Sequence, residues 1–171
     1  MVRHDLENIP RFDLPPNYSL RTYRPGDEKN WTTIHQQADE RNAITQQWFS
    51  EQFGSDLSVL AGRQFYLVNG SGDAVGTGTA WFNKDFQDGK YGRVHWVAIL
   101  PEFQGQGLAR PLMALICERL KALGHERAYL TTSSERVRAV RLYLRFGFKP
   151  WLMGPENEKA WEAARRQGIF S

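Results

Sequence analysis

Cysteine is almost absent from this sequence, which has Cys117 as its single thiol in 171 residues. One cysteine cannot form an intrachain disulfide, so nothing here requires an oxidising compartment. Long apolar runs are missing too. The first thirty residues hold no run of signal-peptide length, and no segment approaches the ~20 apolar residues that cross a bilayer. We therefore expect a cytoplasmic protein with no membrane partner.

Excess charge of one sign is also lacking, because 22 basic and 19 acidic side chains leave a net charge of only +3. A bulk charge of this size does not indicate a nucleic-acid-binding protein, and no nucleic-acid partner is expected. The charges are unevenly distributed, however. Residues 26–56 carry six acidic against two basic side chains, whereas residues 105–149 carry nine basic against three acidic.

The length and composition predict one compact domain. With 41% hydrophobic and 13% aromatic residues, the chain can bury one sizeable core. The first residues contain Pro10, Pro15 and Pro16 and show little periodicity. We expect an irregular arm over residues 1–17 and a single domain over residues 18–171.

Hydrophobic periodicity predicts strands interspersed with helices. The segments 64–68 and 74–82 flank a turn-forming Asn69-Gly70-Ser71-Gly72-Asp73 and favour an antiparallel hairpin. Helices are expected up to about residue 39 and at about 44–53, 108–123, 135–146 and 156–167, with further strands at about 18–23, 94–100, 128–132 and 148–153. This order indicates an α/β fold in which a mixed sheet carries helices on both faces.

A glycine-containing loop joins the strand that ends at Leu100 to the next helix. Gly105 and Gly107 lack side chains that would keep a phosphate from the backbone, and the first amides of a helix have no partners within it. The helix dipole adds about half a positive charge at that end. The loop therefore predicts a pyrophosphate site, with a plain tight turn as the alternative interpretation.

Two other nucleotide-binding motifs fit this loop poorly. A P-loop ends in Gly-Lys-Ser/Thr, but here Gly107 is followed by Leu108 and Ala109. A dinucleotide-binding motif would need a third glycine where Arg110 stands, and an acidic residue after the next strand, where Thr131 and Thr132 stand instead.

Two motifs in order resemble those of the GNAT superfamily of N-acetyltransferases. The first is Val97-x-Ile99-x-Pro101-Glu102-x-Gln104-Gly105-x-Gly107-Leu108-Ala109, and the second consists of Ala139, Leu142, Tyr143, Gly147 and Phe148. The match covers about residues 94–149, and more loosely the elements from residue 18 onward. The resemblance implies a mostly antiparallel, twisted sheet of about six or seven strands, with acetyl-CoA as cosubstrate and no metal.

The resemblance also implies roles for particular residues. Backbone amides would hold the pyrophosphate at Gln104, Gly105, Gln106, Gly107, Leu108 and Ala109, and the backbone at Val97, Ala98 and Ile99 would pair with the pantetheine like an added strand. Tyr143 would be the acid that protonates the leaving thiolate, since a phenol with a pKa near 10 keeps its proton at pH 7. Packing with Leu142 and Phe146 is the alternative role for Tyr143.

The sequence departs from the family's pattern at two positions. Arg136 replaces the asparagine that commonly touches the cofactor arm, and the nearby Ser133 and Ser134 are possible substitutes for it. Arg136 itself either reaches a phosphate or is a solvated arginine. Thr131 stands where some relatives carry an acidic general base, so that role is unassigned. By strand alternation His95 shares a face with Val97 and is the best candidate base by its pKa, but a structural histidine is the favoured interpretation.

These features predict an acetyl-CoA-dependent N-acetyltransferase. It would transfer an acetyl group to a primary amine, on a small molecule or a peptide, by direct attack in a ternary complex. The family commonly places its first two helices on the acceptor side, and that segment is acidic here, so we expect a cationic acceptor. A non-catalytic acetyl-CoA-binding or regulatory module is the alternative, and a homodimer is left open.

Overall fold

A single six-stranded sheet organises the chain. The structure is a computed structural model and describes residues 1–152, 154–166 and 168. The strands are β1 (Val2–Arg3), β2 (Ser19–Thr22), β3 (Gln64–Val68), β4 (Ala74–Phe82), β5 (Tyr91–Ile99) and β6 (Arg127–Tyr129). The helices are α1 (Asp27–Ala38), α2 (Gln46–Phe53), α3 (Ala109–Ala122), α4 (Val137–Arg145) and α5 (Pro155–Arg166).

The sheet is mixed and mostly antiparallel. Its strand order is β1-β6-β5-β4-β3-β2, and only the β5–β6 pair is parallel. The hairpin between β3 and β4 forms as predicted, because the Asn69 side chain accepts hydrogen bonds from the backbone N–H groups of Ser71 and Asp73. The predicted fold class is confirmed.

Helices cover both faces of the sheet, each over its own apolar cluster. On one face α3 contributes Leu112, Ile116 and Leu120, all fully buried. On the other, α1 and α2 contribute a second cluster that includes Trp31 and Phe49. Burying each of these aliphatic side chains stabilises the fold by about 1.5–3 kcal/mol, so the helical spacing of leucines in α3 anchors that helix firmly.

The expected irregular arm and the expected strand at 148–153 both differ from the structure. Val2–Arg3 forms β1, which pairs antiparallel with β6, and a single bridge joins Val2 to Lys149. Pro150 has no N–H to continue a ladder. Within the described part of 148–153, this bridge replaces the predicted strand, and residue 153 lies outside the described residues. The boundary between arm and domain stays a prediction.

Across the described ranges, every helix is too short or too polar to span a bilayer.

Candidate functional site

A cleft of about 960 Å³ opens between the C-terminal half of β5, the glycine loop and α4. β6 pairs only with Tyr91–Arg93 of β5, so the rest of that strand edge has no neighbouring strand among the described residues. Nine of the predicted site residues line the cleft: Val97, Ile99, Gln104, Gly105, Gly107, Leu108, Ala109, Arg136 and Tyr143. Ala98 and Gln106 do not line it.

The glycine loop leaves a row of backbone donors free at the start of α3. Within the described residues, the N–H groups of positions 105–109 donate to no protein acceptor. The amide of Gln104, expected to be one of these donors, instead donates to the Pro101 carbonyl at 3.1 Å. Unpaired amides at a helix N-terminus attract anions.

Backbone conformation keeps the space above this loop open. Gly105 and Gly107 have φ values of 80° and 82°, which side chains rarely tolerate, and no heavy atom lies within 4 Å of a Cβ placed at either glycine. The Gln104 side chain donates to the Ile99 carbonyl at 2.9 Å and fixes the loop to the end of β5. Pro111 stands in the first turn of α3, where no amide is lost.

The cleft is rich in positive charge. Six arginines line it, against three acidic residues: Arg41, Arg110, Arg136, Arg138, Arg141 and Arg145, with Asp39, Glu40 and Glu135. Arg138, Arg141 and Arg145 recur at helical spacing, which places them on one face of α4. That spacing is visible in the sequence alone and indicates a basic helix face. A cleft of this charge raises the local concentration of an anionic ligand.

Arg136 is paired within the protein. Its Nη2 lies 2.9 Å from Oδ2 of Asp39, whose side chain is only 4% exposed. Burial works against the Asp39 charge, but hydrogen bonds from Asn42 and Arg136 hold the pKa of this carboxyl below its usual value. A second ion pair, between Arg41 and Glu135, also joins the connector after α1 to the segment before α4.

Tyr143 lies on the cleft side of α4. It is half-buried, and its ring packs edge-on against Phe148 at 6.3 Å. The backbone carbonyl of Tyr143 accepts from the N–H groups of Phe146 and Phe148 as the helix ends through Gly147, whose φ is 76°. Burial raises the pKa of Tyr143 to about 12, and the nearby Arg136 charge works in the opposite direction. The phenol therefore keeps its proton at neutral pH.

His95 does not share a face with Val97, and that expectation was wrong. The β4–β5 register shifts between Thr77 and Thr79, which inserts an extra residue on β5 and breaks the alternation. The Val97 side chain lies on the α3 face, because a Cβ at Gly78 would come within 3.2 Å of it. His95 packs against Phe53 on the opposite face, and burial lowers its pKa to about 2. A buried, neutral ring away from the cleft fits the structural role.

The fold and the cleft together define an acetyltransferase domain: a mixed sheet, a parallel β5–β6 pair that diverges, and a glycine loop at the start of α3. Residues 20–148 match the Acetyltransferase (GNAT) family. The chain belongs to this family, which confirms the resemblance seen in the two motifs.

Named relatives carry the same domain within longer chains. The chain is 31% identical over 163 residues to the mycothiol acetyltransferase of Pseudarthrobacter chlorophenolicus, covering 88% of this chain and 50% of the relative. It is 32% identical over 146 residues to the mycothiol acetyltransferase of Streptomyces bingchenggensis, covering 82% and 46%. The chain thus spans about half the length of the curated relatives it matches.

Solved structures share the fold at lower identity. A GCN5-related N-acetyltransferase from Sphaerobacter thermophilus superposes with a TM-score of 0.69 at 23% identity, over 85% of this chain and 46% of that one. The ribosomal-protein-S18-alanine N-acetyltransferase from Escherichia coli gives 0.63 at 19% identity, over 79% of each chain. At these identities the similarity concerns the fold alone.

Proposed function

We propose that this chain is an acetyl-CoA-dependent N-acetyltransferase that acts on a primary amine by direct attack in a ternary complex. The observation that carries the proposal is a row of five backbone amides at 105–109 that donate to no acceptor among the described residues and open onto a cleft lined by arginines. A diphosphate ester satisfies both features, because its oxygens accept from the amides and its charge is matched by the guanidinium groups.

The pantetheine arm of the coenzyme fits along the open edge of β5. The amide groups of the pantetheine would hydrogen-bond with the backbone at 97–99 in the manner of an added strand. One backbone N–H of this segment would then donate to the acetyl oxygen as negative charge develops there. The neutral amine nitrogen forms a bond to the acetyl carbon and loses a proton to water as the carbon–sulfur bond breaks. Tyr143 donates its hydroxyl proton to the departing sulfur and regains a proton from solvent.

The general base stays unassigned. An amine with a pKa near 10.4 costs roughly 4.6 kcal/mol to deprotonate at pH 7 without help. Thr131 has no carboxylate, and His95 is buried away from the cleft. Water that enters the open cleft can carry the proton of the ammonium to solvent. It therefore suits the removal of this proton better than either side chain.

A cationic acceptor is the finer part of the proposal. The connector after α1 brings the acidic Asp39 and Glu40 to the cleft, at the negative end of the α1 dipole. Four of the six arginines lie on α3 and α4, whereas two of the three acidic residues lie on the connector after α1, together with Arg41. The relatives' name connects their acceptor with mycothiol, and compounds of that chemistry belong among the amines to be tested.

An amine panel is the direct test of the proposed reaction. Purified protein and acetyl-CoA are mixed with a polyamine, an aminoglycoside, amino acids, a peptide with a free N-terminus and mycothiol-related amines, and thiol release is measured. We expect turnover with one or more cationic amines. Turnover restricted to anionic acceptors would contradict the cationic assignment. Coenzyme binding without any turnover would favour the non-catalytic module.

The role proposed for Arg136 in coenzyme binding is tested by Arg136→Met. Because the guanidinium must exchange part of its contact with Asp39 for a phosphate, we expect a modest loss, about threefold to tenfold in coenzyme A affinity by calorimetry. Arg166→Met is the control, since Arg166 does not line the cleft and pairs with Glu162 within α5. If both variants bind as the wild type does, Arg136 serves only to neutralise Asp39.

A further inference from the structure

The irregular point of β5 is Trp96, which adopts a left-handed backbone conformation. On β4, Thr77 and Thr79 are separated by one residue, yet their partners Ala98 and His95 are separated by two. Trp96 lies in this bulge with a φ of 50°. A bulky side chain is rarely found there, and such a conformation persists only where the surroundings hold it in place.

The surroundings of Trp96 come from α1 and α2. Its indole Nε1 donates to Oε1 of Gln52 on α2 at 2.9 Å. Its ring packs edge-on against Trp31 and His35 of α1, with centroids 5.2 and 5.0 Å away, and against Trp48 of α2 at 5.9 Å. Among the described contacts of the indole, the bond to Gln52 is the hydrogen bond, and hydrogen bonds weaken steeply when donor and acceptor are misaligned.

The bulge determines how the next residues meet the cleft. In an undisturbed strand, Val97 and Ile99 would lie on the same face as His95, away from the cleft. Instead both residues line the cleft. The extra residue resets that alternation and bends the strand locally. A change in the backbone dihedral angles of Trp96 would therefore change the direction of the N–H groups of residues 97–99, which follow it in the strand.

We propose that Gln52 is a positioning residue, which holds Trp96 in the bulge and thereby fixes the backbone amides that face the acetyl group. This inference rests on the proposed function for its catalytic consequence, but the coupling between Gln52 and the β5 backbone is a structural statement in its own right. Through this contact α2, which we propose to lie on the acceptor side, determines the backbone geometry of β5.

Three variants separate positioning from general stability. Gln52→Met has a similar shape but no acceptor, whereas Gln52→Glu keeps an oxygen that accepts from the indole. Gln47→Met is the matched control on the same helix, because Gln47 is exposed and its side chain donates only to Glu51, at 2.9 Å, among the described contacts. Thermal unfolding of all three variants identifies any loss of folding.

The first readout does not depend on activity. In ¹H–¹⁵N spectra, Gln52→Met should shift the Trp96 indole N–H and the backbone amides of Val97 and Ile99, while Gln52→Glu and Gln47→Met leave those two amides near their wild-type positions. Unmoved Val97 and Ile99 amides in Gln52→Met overturn the inference. This holds even if the wild type acetylates no amine, in which case the proposed function fails while the spectra still decide the positioning role.

The second readout is kinetic, with the amine that the wild type acetylates fastest. We expect Gln52→Met to lower kcat about threefold to tenfold, the effect of one lost hydrogen bond. Coenzyme A affinity should fall by less, because the diphosphate contacts at 105–109 are not touched by the substitution. Gln52→Glu should recover most of the turnover. An equal loss in Gln52→Met and Gln47→Met, or a loss confined to coenzyme A affinity, contradicts positioning by Gln52.

Discussion

Tyr143→Phe is expected to lower kcat by about 100-fold or more while leaving coenzyme A affinity within about twofold, since general acid catalysis contributes roughly 10²–10⁴-fold. The substitution removes one hydroxyl and keeps the ring that packs on Phe148. Steady-state kinetics and calorimetry on the same preparations separate the two effects. Tyr129→Phe is the control, because Tyr129 is buried in an aromatic cluster with Phe86 and does not line the cleft.

The pH dependence gives an independent check on the same residue. Because burial raises the pKa of Tyr143 to about 12, the proton-donating form is present throughout the neutral and moderately alkaline range. We therefore expect that ionisation of Tyr143 lowers kcat nowhere between about pH 7 and 10. Any alkaline loss of kcat in the wild type should also be seen in Tyr143→Phe. Wild-type turnover in Tyr143→Phe at every pH would remove the tyrosine from the mechanism.

Gly107→Val is expected to weaken coenzyme A binding by about 100-fold or more. The valine side chain would occupy the space that the diphosphate needs and prevent several charge-assisted hydrogen bonds from the loop amides, each worth about 1.5–3 kcal/mol. Calorimetric titration with coenzyme A measures the effect. The open space above this glycine means that the loss arises from exclusion of the ligand and not from a clash with protein atoms.

Gly124→Val controls for backbone strain. Gly124 follows the other end of α3, its φ of 87° is close to the 82° of Gly107, and a Cβ there also meets nothing within 4 Å. Both substitutions force a β-branched residue into the left-handed region, so both should lower stability similarly. Only Gly107→Val should lose coenzyme binding. An equal loss in both variants would assign the effect to strain and contradict the proposed diphosphate site at 105–109.

Sequence periodicity was sufficient for the elements whose apolar pattern is local. The bounds of β3 and β4 match the prediction, and α3 follows the spacing of its leucines. The glycine loop and Tyr143 could be found because their motifs have fixed spacing. The cleft then brings both motifs together, although more than thirty positions separate Gly107 from Tyr143.

Features that depend on distant partners could not be predicted. The ion pair between Asp39 and Arg136 joins residues 97 positions apart, and nothing local to Asp39 marks it as a cleft residue. The extra residue at Trp96 reverses the face of the sheet on which the β5 side chains after His95 lie. Alternation with a period of two, read from the sequence, cannot reveal such a one-residue insertion. β1 is only two residues long, too short for periodicity, and forms because β6 offers an edge.

The amides at 105–109 belong to the main chain, which has a consequence for how such a domain diversifies. Exchanging the exposed side chains around them, such as that of Gln106, leaves the donors in place as long as the two glycines and the α3 anchor remain. In the proposed reaction, binding of the coenzyme diphosphate would therefore tolerate most side-chain substitutions in this loop. The connector after α1 and the α2 helix, which we propose to lie on the acceptor side, could then change without loss of coenzyme binding.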